Sequence, residues 1–262
     1  MIILKTPEEI ESIRRGGIIL SQILSELVDK VVPGVMTGEL DAYAEERMRA
    51  EGGEPSFKGY RTGSDVTPFP STVCMSINEE VVHAPAVPSR PVKEGDLLKL
   101  DIGLRYEGMC TDMAVTVPVG EVDEEKKKLI RVTRESMMLG IAKARAGGVI
   151  NDIGKAVDTY VRKNGYTTVK DLTGHGVGHY VHEDPRVPNY EDDDMGDVKI
   201  EKGMVLAVEP MVNIGEEDVD VLTDGWTIVT ADSTPSAHFE VTIAITDKGM
   251  ELMTPVPTNL PV

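Results

Sequence analysis

Gly95-Asp96-Leu97-Leu98-Lys99-Leu100-Asp101 and Gly203-Met204-Val205-Leu206-Ala207-Val208-Glu209 read as two copies of one strand that ends in a carboxylate. In each, the acid stands six residues after a glycine, at the close of an apolar run. A buried strand gains nothing from a lone carboxylate, because taking the charge out of water costs several kcal/mol. Two such acids on related strands therefore call for a shared positive partner, and a metal supplies one. Asp112 and Glu240 follow the two strands, and a histidine-rich loop, Gly174-His175-Gly176-Val177-Gly178-His179-Tyr180-Val181-His182, lies between them.

The segments around these strands also repeat. Thr6-Pro7-Glu8-Glu9 carries an N-cap residue, a proline at N1 and a glutamate at N3, a helix start. Apolar positions Ile10, Ile13, Ile18, Leu20, Ile23, Leu24 and Leu27 continue that helix to about Asp29, and Pro33-Gly34 stops it. A shorter helix capped by Thr37 runs to Gly52-Gly53. The layout returns with a helix capped by Asp123 that ends at Gly147-Gly148, then a shorter one from about Asp152 to Lys163. Gly34-Val35-Met36-Thr37 set against Gly148-Val149-Ile150-Asn151 gives an offset of 114, and Asp101 against Glu209 gives 108. Two separate segments thus agree on a duplication, with halves at about 5–120 and 121–252 of a single catalytic domain spanning 1–262.

Strands are expected at about 72–83, 97–106, 111–119, 204–213, 226–231 and 238–245, joined by short turns such as Tyr106-Glu107-Gly108. Short turns make neighbours antiparallel, and helices covering an antiparallel sheet make an α+β fold. A site between the halves would receive one strand pair from each.

Composition narrows the function classes. With 262 residues, 40% hydrophobic and 27% charged, the chain suits a soluble globular protein with ample core. A net charge of −18 argues against a nucleic-acid binder, which needs clustered Lys and Arg. The two cysteines, Cys74 and Cys110, lack CxxC spacing and suit a reducing compartment. The first residues lack the charged start and apolar core of a signal peptide, and no apolar run approaches the ~20 residues of a membrane span. A cytoplasmic protein that does not touch membranes is expected.

Asp101 and Asp112 lie eleven residues apart across an expected hairpin, so adjacent strands would bring their side chains together. Glu209 precedes Pro210, which marks a strand end or bulge, and Glu240 sits in the strand-like run Ala237-His238-Phe239-Glu240-Val241-Thr242-Ile243. Four carboxylates with one histidine suit two divalent ions, between which Asp and Glu bridge. The glycines around His175 exclude a helical HExxH motif and allow close backbone approach. His179 reads as a surface residue; His238 shares alternation parity with Glu240 and is left open. Paired ions lower the pKa of a bridging water and polarise a carbonyl, while nearby free histidines stabilise an oxyanion. That combination points to hydrolysis of an amide or ester.

The order Asp101, Asp112, His175, Glu209, Glu240 resembles the five-ligand set of the methionine aminopeptidase and prolidase superfamily, the pita-bread fold. More narrowly, residues 5–252 resemble type I, bacterial-style methionine aminopeptidases. Ser76-Ile77-Asn78-Glu79 ahead of His83, Gly174-His175-Gly176-Val177-Gly178, His182-Glu183-Asp184-Pro185, Glu209-Pro210, Asp224-Gly225-Trp226-Thr227 and Phe239-Glu240 carry the likeness. The resemblance implies that Asp112 and Glu240 bridge two ions (Co, Mn, Fe or Zn), with His175 and Glu209 completing one and Asp101 the other. It also implies that His83 and His182 contact the substrate amide and that Glu209 shuttles the proton. Tyr60, Phe69, Cys74 and Trp226, with Phe57, would form the methionine pocket. The implied partners are the N-termini of nascent polypeptides at the ribosome, met by a monomer.

This chain departs from that pattern at several places. Arg61 to Thr67 reads as an insertion, Ala84-Pro85 follows His83 in place of glycine, and Val181 and Val241 replace an aromatic and a histidine. Gly103 replaces a threonine. An Xaa-Pro aminopeptidase and a metal-free binding module of the same fold stand as alternatives. The first usually carries an extra N-terminal domain, and the second would have lost ligands.

Overall fold

Residues 97–106 show how the sheet is built. Leu98, Leu100, Ile102 and Leu104 are fully buried and join the core that holds Leu20, Leu24 and Leu27 of the first helix. The residues between them, Lys99, Asp101 and Gly103, must face the other way, since successive strand side chains alternate. One face of the strand therefore builds the core, and the other is left for chemistry.

The computed structural model describes residues 1–61 and 67–261. The first half contains helices α1 (Pro7–Lys30) and α2 (Thr37–Ala50) and strands β1 (Glu54–Pro55), β2 (Val73–Ile77), β3 (Glu80–Val82), β4 (Leu97–Tyr106) and β5 (Met109–Pro118). The second half opens with α3 (Glu124–Ile141) and α4 (Asn151–Lys163), followed by β6 (Thr167–Thr168), β7 (Thr173–Gly176) and β8 (Glu183–Pro188). It continues with β9 (Val205–Val208), β10 (Met211–Asn213), β11 (Val219–Val221), β12 (Ile228–Thr230), β13 (Ser236–His238), β14 (Glu240–Thr246) and β15 (Gly249–Leu252).

Among the described residues the main sheet runs β1-β4-β5-β14-β9-β7-β8, with β2 on β4 and β15 on β14. Two three-stranded sheets, β13-β10-β6 and β11-β12-β3, flank it, and every strand pairing is antiparallel. The expected α+β pita-bread fold is what the chain adopts: a curled antiparallel sheet backed by helices, with two helices and then strands in each half. Among the described residues the halves join in the main sheet where β5 pairs β14 over Glu240–Ala114 and Val241–Met113, and in a flanking sheet where β3 pairs β12 over Val82–Ile228 and Glu80–Val229. No helix among the described residues is long and apolar enough to cross a membrane.

Several boundaries differ from the sequence reading. Thr6 caps α1 with the full capping box, and the Asp123 side chain caps α3. Thr37, by contrast, does not cap α2: its hydroxyl donates to the Ala86 carbonyl and accepts from Arg90 N–H, and Met36 holds the cap position. Ile18, counted with the apolar face of α1, is exposed. Helix α3 stops at Ile141, because Gly147 and Ile150 leave the helix to pair with Ile200 and Val198. The expected strands at 72–83, 204–213 and 238–245 each break in two, between β2 and β3, β9 and β10, and β13 and β14. Of the 61–67 segment read as an insertion, 62–66 lie outside the described residues.

Candidate metal centre and substrate pocket

Register alone brings the acids together. Asp101 on β4 lies opposite Ala114 on β5, and Ala114 lies opposite Glu240 on β14, so all three share one face of the sheet. Asp112, two residues before Ala114, falls in the next row of that face, opposite Gly103. On the far side of the seam, Ala207 of β9 pairs with both Thr242 and His175, which puts His175 in the same row. Glu209 is two residues beyond Ala207 and keeps the parity. Beyond Val241 the β5–β14 ladder gives way to Thr242, whose hydroxyl accepts from the Asp112 N–H and donates to the Asp112 carbonyl. The Asp112 backbone is thereby fixed from both sides.

The breaks in the strands aim the remaining groups. Pro210 has no N–H to continue a ladder, and there the chain leaves the main sheet for the sheet of β13 and β10. The neighbouring strand makes the same change of sheet at Phe239, between β13 and β14. Glu209, His238 and Glu240 stand at this double crossing, and it turns their side chains to one another. His238 Nε2 lies 3.5 Å from Glu209 Oε2, and His175 Nε2 lies 3.2 Å from Glu209 Oε1. His175 is on strand β7, not in a loop; its Nδ1 is 2.9 Å from the Gly176 carbonyl, a contact that favours the tautomer with Nε2 free to ligate.

Asp101, Asp112 and Glu240 are buried and Glu209 is nearly so, and among the described residues no Lys or Arg pairs with any of the four. Asp101 Oδ1, Asp112 Oδ1 and Glu240 Oε1 are buried and lack any hydrogen-bond partner among the described residues. Burial, reinforced by Asp101 and Glu209, pushes the Asp112 carboxyl well above its usual range. Burial, reinforced by Asp112, does the same to Glu240, and burial lifts Asp101 to about 6. Glu209 runs the other way. Its burial would raise it, but the hydrogen bonds and charge of His175 and His238 outweigh that and hold it near 2. Burial alone would lower His175; the Glu209 carboxylate reverses this and the net shift is upward.

Such a set lacks positive charge, and a divalent cation restores it. Ligand atoms of Asp112, His175 and Glu240 lie within 4.8 Å of one another, and so do those of Glu209, His238 and Glu240. The two clusters share Glu240. Asp101, one strand further out, stands in neither, and His238, whose role the sequence left open, stands in one. Parity was the signal for His238, and the break at Phe239 is what the sequence concealed.

A cavity of about 220 Å³ ends on these carboxylates. Phe57, Phe69 and Cys74 are buried in one small apolar cluster, with Tyr60 and Trp226 packed against it. Phe69 meets Trp226 edge-on at 5.3 Å, and the indole N–H donates to the Thr67 carbonyl at 3.0 Å. Phe57 also explains Gly103, since a Cβ there would come within 2.6 Å of the Phe57 ring and 2.1 Å of Ser56 Oγ. The threonine common in the resembling family would not fit beside this phenylalanine. The volume lies below the roughly 300–1,000 Å³ of drug-sized sites and suits a single side chain.

His83 and His182 stand where this apolar cavity meets the carboxylates. His83 has φ +60°, a left-handed backbone that costs a non-glycine residue about 1–3 kcal/mol and that is found where the surroundings impose it. Burial lowers its imidazole to about 4. The edge of His182 is open to the pocket, yet the packing around the ring and then the neighbouring His175 bring it down to about 3. Both rings are therefore neutral at pH 7. His182 Nδ1 lies 2.8 Å from the Tyr60 hydroxyl, and its ring meets His175 at 4.4 Å. His179 lies apart from this group, half-exposed against Glu9.

One support had no signal in the sequence. Lys5 Nζ donates to the Ile3 carbonyl at 2.8 Å and to the Glu183 carboxylate, with the two charged side chains only 1% and 3% exposed. Glu183 follows His182 directly, and its other oxygen accepts the Tyr180 N–H at 2.9 Å. Gly178 in the same turn has φ +152°, and a Cβ there would lie 2.3 Å from Lys5 Cε. The segment ahead of α1 thus pins the turn that carries His182.

A family model of metallopeptidase family M24 matches residues 11–247, a span that takes in most of the chain, with the four carboxylates and the five histidines just described. The chain belongs to metallopeptidase family M24. Among M24 relatives, it is 46% identical to the methionine aminopeptidase of Clostridium perfringens over 97% of this chain and 99% of that one. It is 43% identical to methionine aminopeptidase 1 of Bacillus subtilis over 98% and 100%. A solved methionine aminopeptidase of Thermotoga maritima superposes with a TM-score of 0.91 at 40% identity, covering 97% of this chain and 99% of its own. Membership in this metallopeptidase family implies divalent metal ions, and the two groups that share Glu240, with their unpartnered buried oxygens, are candidate ligands for them.

Proposed function

We propose that the protein is a methionine aminopeptidase that removes the N-terminal methionine from nascent polypeptides and peptides. The observation that carries this reading is the convergence of four carboxylates, three of them buried, and an imidazole at one end of a small apolar pocket. Its relatives at 46% and 43% identity bear that name, and they match over nearly their whole length. Asp101, Asp112, His175, Glu209 and Glu240 would hold two divalent ions, with Asp112 and Glu240 as the bridges. Oxygen-rich ligation with one imidazole suits Mn, Fe, Co or Zn. When bound, the ions would lower the pKa of a water and polarise the scissile carbonyl.

The chain's own groups account for the remaining steps. Phe57, Tyr60, Phe69, Cys74 and Trp226 would take the first side chain, and their soft, apolar lining suits a thioether. His83 and His182, neutral at pH 7, hold the scissile amide by hydrogen bonds rather than by charge, and stabilise oxygen charge as it develops. Glu209 is ionised at neutral pH, so its carboxylate accepts a proton from the attacking water and passes it to the departing amine. The water oxygen ends on the methionine carboxyl group, and the proton on the new N-terminus. Action at the ribosome, as a monomer in the cytoplasm, completes the proposal, and the two unpaired cysteines are compatible with a reducing compartment.

The test is a methionine-release assay on Met-Ala-Ser, run across Mn, Fe, Co and Zn, with Ala-Pro-Phe in parallel. Release from Met-Ala-Ser that EDTA abolishes and added metal restores is the expected result. Preferential cleavage of Ala-Pro-Phe would make the enzyme an Xaa-Pro peptidase. Absence of bound metal after reconstitution would make it a binding module, and EDTA-resistant release would remove the metal mechanism.

A further inference from the structure

The apolar pocket and a second, more open groove of about 450 Å³ meet at His83, His175, His182 and Glu209. The groove shares none of the aromatic residues that close the other end of the pocket. A peptide whose first side chain fills the pocket and whose first amide lies at the two histidines therefore leaves through this groove. Its walls are Leu172, Thr173, Met211 and Arg186.

The charges along it are unequal. Glu183 is paired with Lys5, Asp184 with the terminal ammonium group of Met1, and Glu209 with two imidazoles. Arg186 lies on β8 between the buried Pro185 and Val187, and its side chain is exposed. No hydrogen bond or ion pair engages it among the described residues. A free guanidinium on the exit path is unusual in a chain of net charge −18.

Resting on the aminopeptidase reading, we infer that this groove is the subsite for substrate residues beyond the second, and that Arg186 selects there for acidic side chains. A carboxylate in reach of a guanidinium pairs with it bidentately, whereas a lysine is repelled. At a solvent-open site the preference is modest and screened by salt.

The test measures kcat/KM for methionine release from Met-Ala-Ser-Ser and from its variants with Glu or Lys at position three or four. For the unaltered enzyme at low salt, the glutamate peptide is expected to exceed its lysine counterpart about two- to fivefold at one of the two positions, the range of an exposed ion pair. High salt should erase the difference. Arg186→Gln should abolish it and Arg186→Glu should invert it. Lys248→Glu, on the β14–β15 turn, changes the net charge equally and should leave it intact. Lys248→Glu should process Met-Ala-Ser-Ser like the unaltered enzyme, and each Arg186 variant is read by its glutamate-to-lysine ratio, which is independent of its own rate on Met-Ala-Ser-Ser. Equal glutamate-to-lysine ratios in the unaltered enzyme and Arg186→Glu, with Met-Ala-Ser-Ser still cleaved, would overturn the role of Arg186 alone. Failure of every protein on Met-Ala-Ser-Ser would overturn the aminopeptidase reading and the inference with it.

Discussion

Glu240→Gln is expected to lose metal-dependent methionine release by at least about 10²–10³-fold, the cost of removing one preorganised electrostatic partner from a reacting centre. The same change should make the chelated protein more stable. Glu240 belongs to both ligand clusters, and it is buried beside Asp112, Glu209 and Asp101, each of which raises its pKa. Without metal these acids repel one another, and an amide at position 240 relieves that repulsion.

The pH dependence carries the same sign. A carboxyl whose folded pKa is raised binds its proton more tightly in the fold, so its penalty grows as pH climbs above the unfolded value. For Asp101 that window runs from 3.8 to about 6, and Asp112 and Glu240 extend it upward. The buried His83 and His182, whose pKa values are lowered, gain stability over the same interval in both proteins, so the raised carboxyls are read by difference: the melting-temperature advantage of Glu240→Gln over the parent in EDTA should grow with rising pH across this range, and metal should stabilise the parent. Undiminished release by Glu240→Gln, or a lower melting temperature in EDTA than the parent, would contradict the assignment.

Lys5→Met is expected to cost about 3–5 kcal/mol, the penalty for leaving one member of a buried ion pair alone. At about 2–4 °C per kcal/mol for a chain approaching this size, the melting point drops by roughly 10 °C. The charge left behind is Glu183, 3% exposed, in the turn that carries His182. Lys5→Met/Glu183→Gln should recover most of the loss, because no buried charge is then unpaired. A double-mutant cycle read by thermal denaturation checks this, and a double variant as unstable as the sum of the singles would refute the pairing. Methionine release in the single variant should fall with kcat more than with KM, since a loosened turn displaces His182 and leaves the apolar pocket intact.

The sequence disclosed the carboxylate strands, because an acid at the end of an apolar run has no bland explanation. The resemblance, with its long-range order of Asp101, Asp112, His175, Glu209 and Glu240, supplied what no local pattern carries. The structure does bring these five residues, His83, His182 and all the expected pocket residues to one cavity. The double crossing at Glu209-Pro210 and Phe239 was hidden, since an unbroken β-forming run does not show where a chain changes sheets. His175 looked like a loop residue because its flanking glycines suppress strand propensity, while pairing with Ala207 sets its actual conformation. Thr37 looked like a helix cap for local reasons and was drawn instead to the distant Ala86 and Arg90. The Lys5–Glu183 pair, 178 residues apart, was out of reach of any periodicity.

The seam between β5 and β14 also sets an order of events in the life of the chain. Glu240, shared by both ligand clusters, is made 139 residues after Asp101 on the ribosome and reaches Asp112 only when the two halves close along that seam. The first half, even if it folds early, presents Asp101 and Asp112 without the histidine and glutamates that complete the set. On the proposed ligand set, metal capture would be a late event of biosynthesis, coupled to the docking of the halves, and a chain interrupted before residue 240 would lack the carboxylate that both candidate groups share.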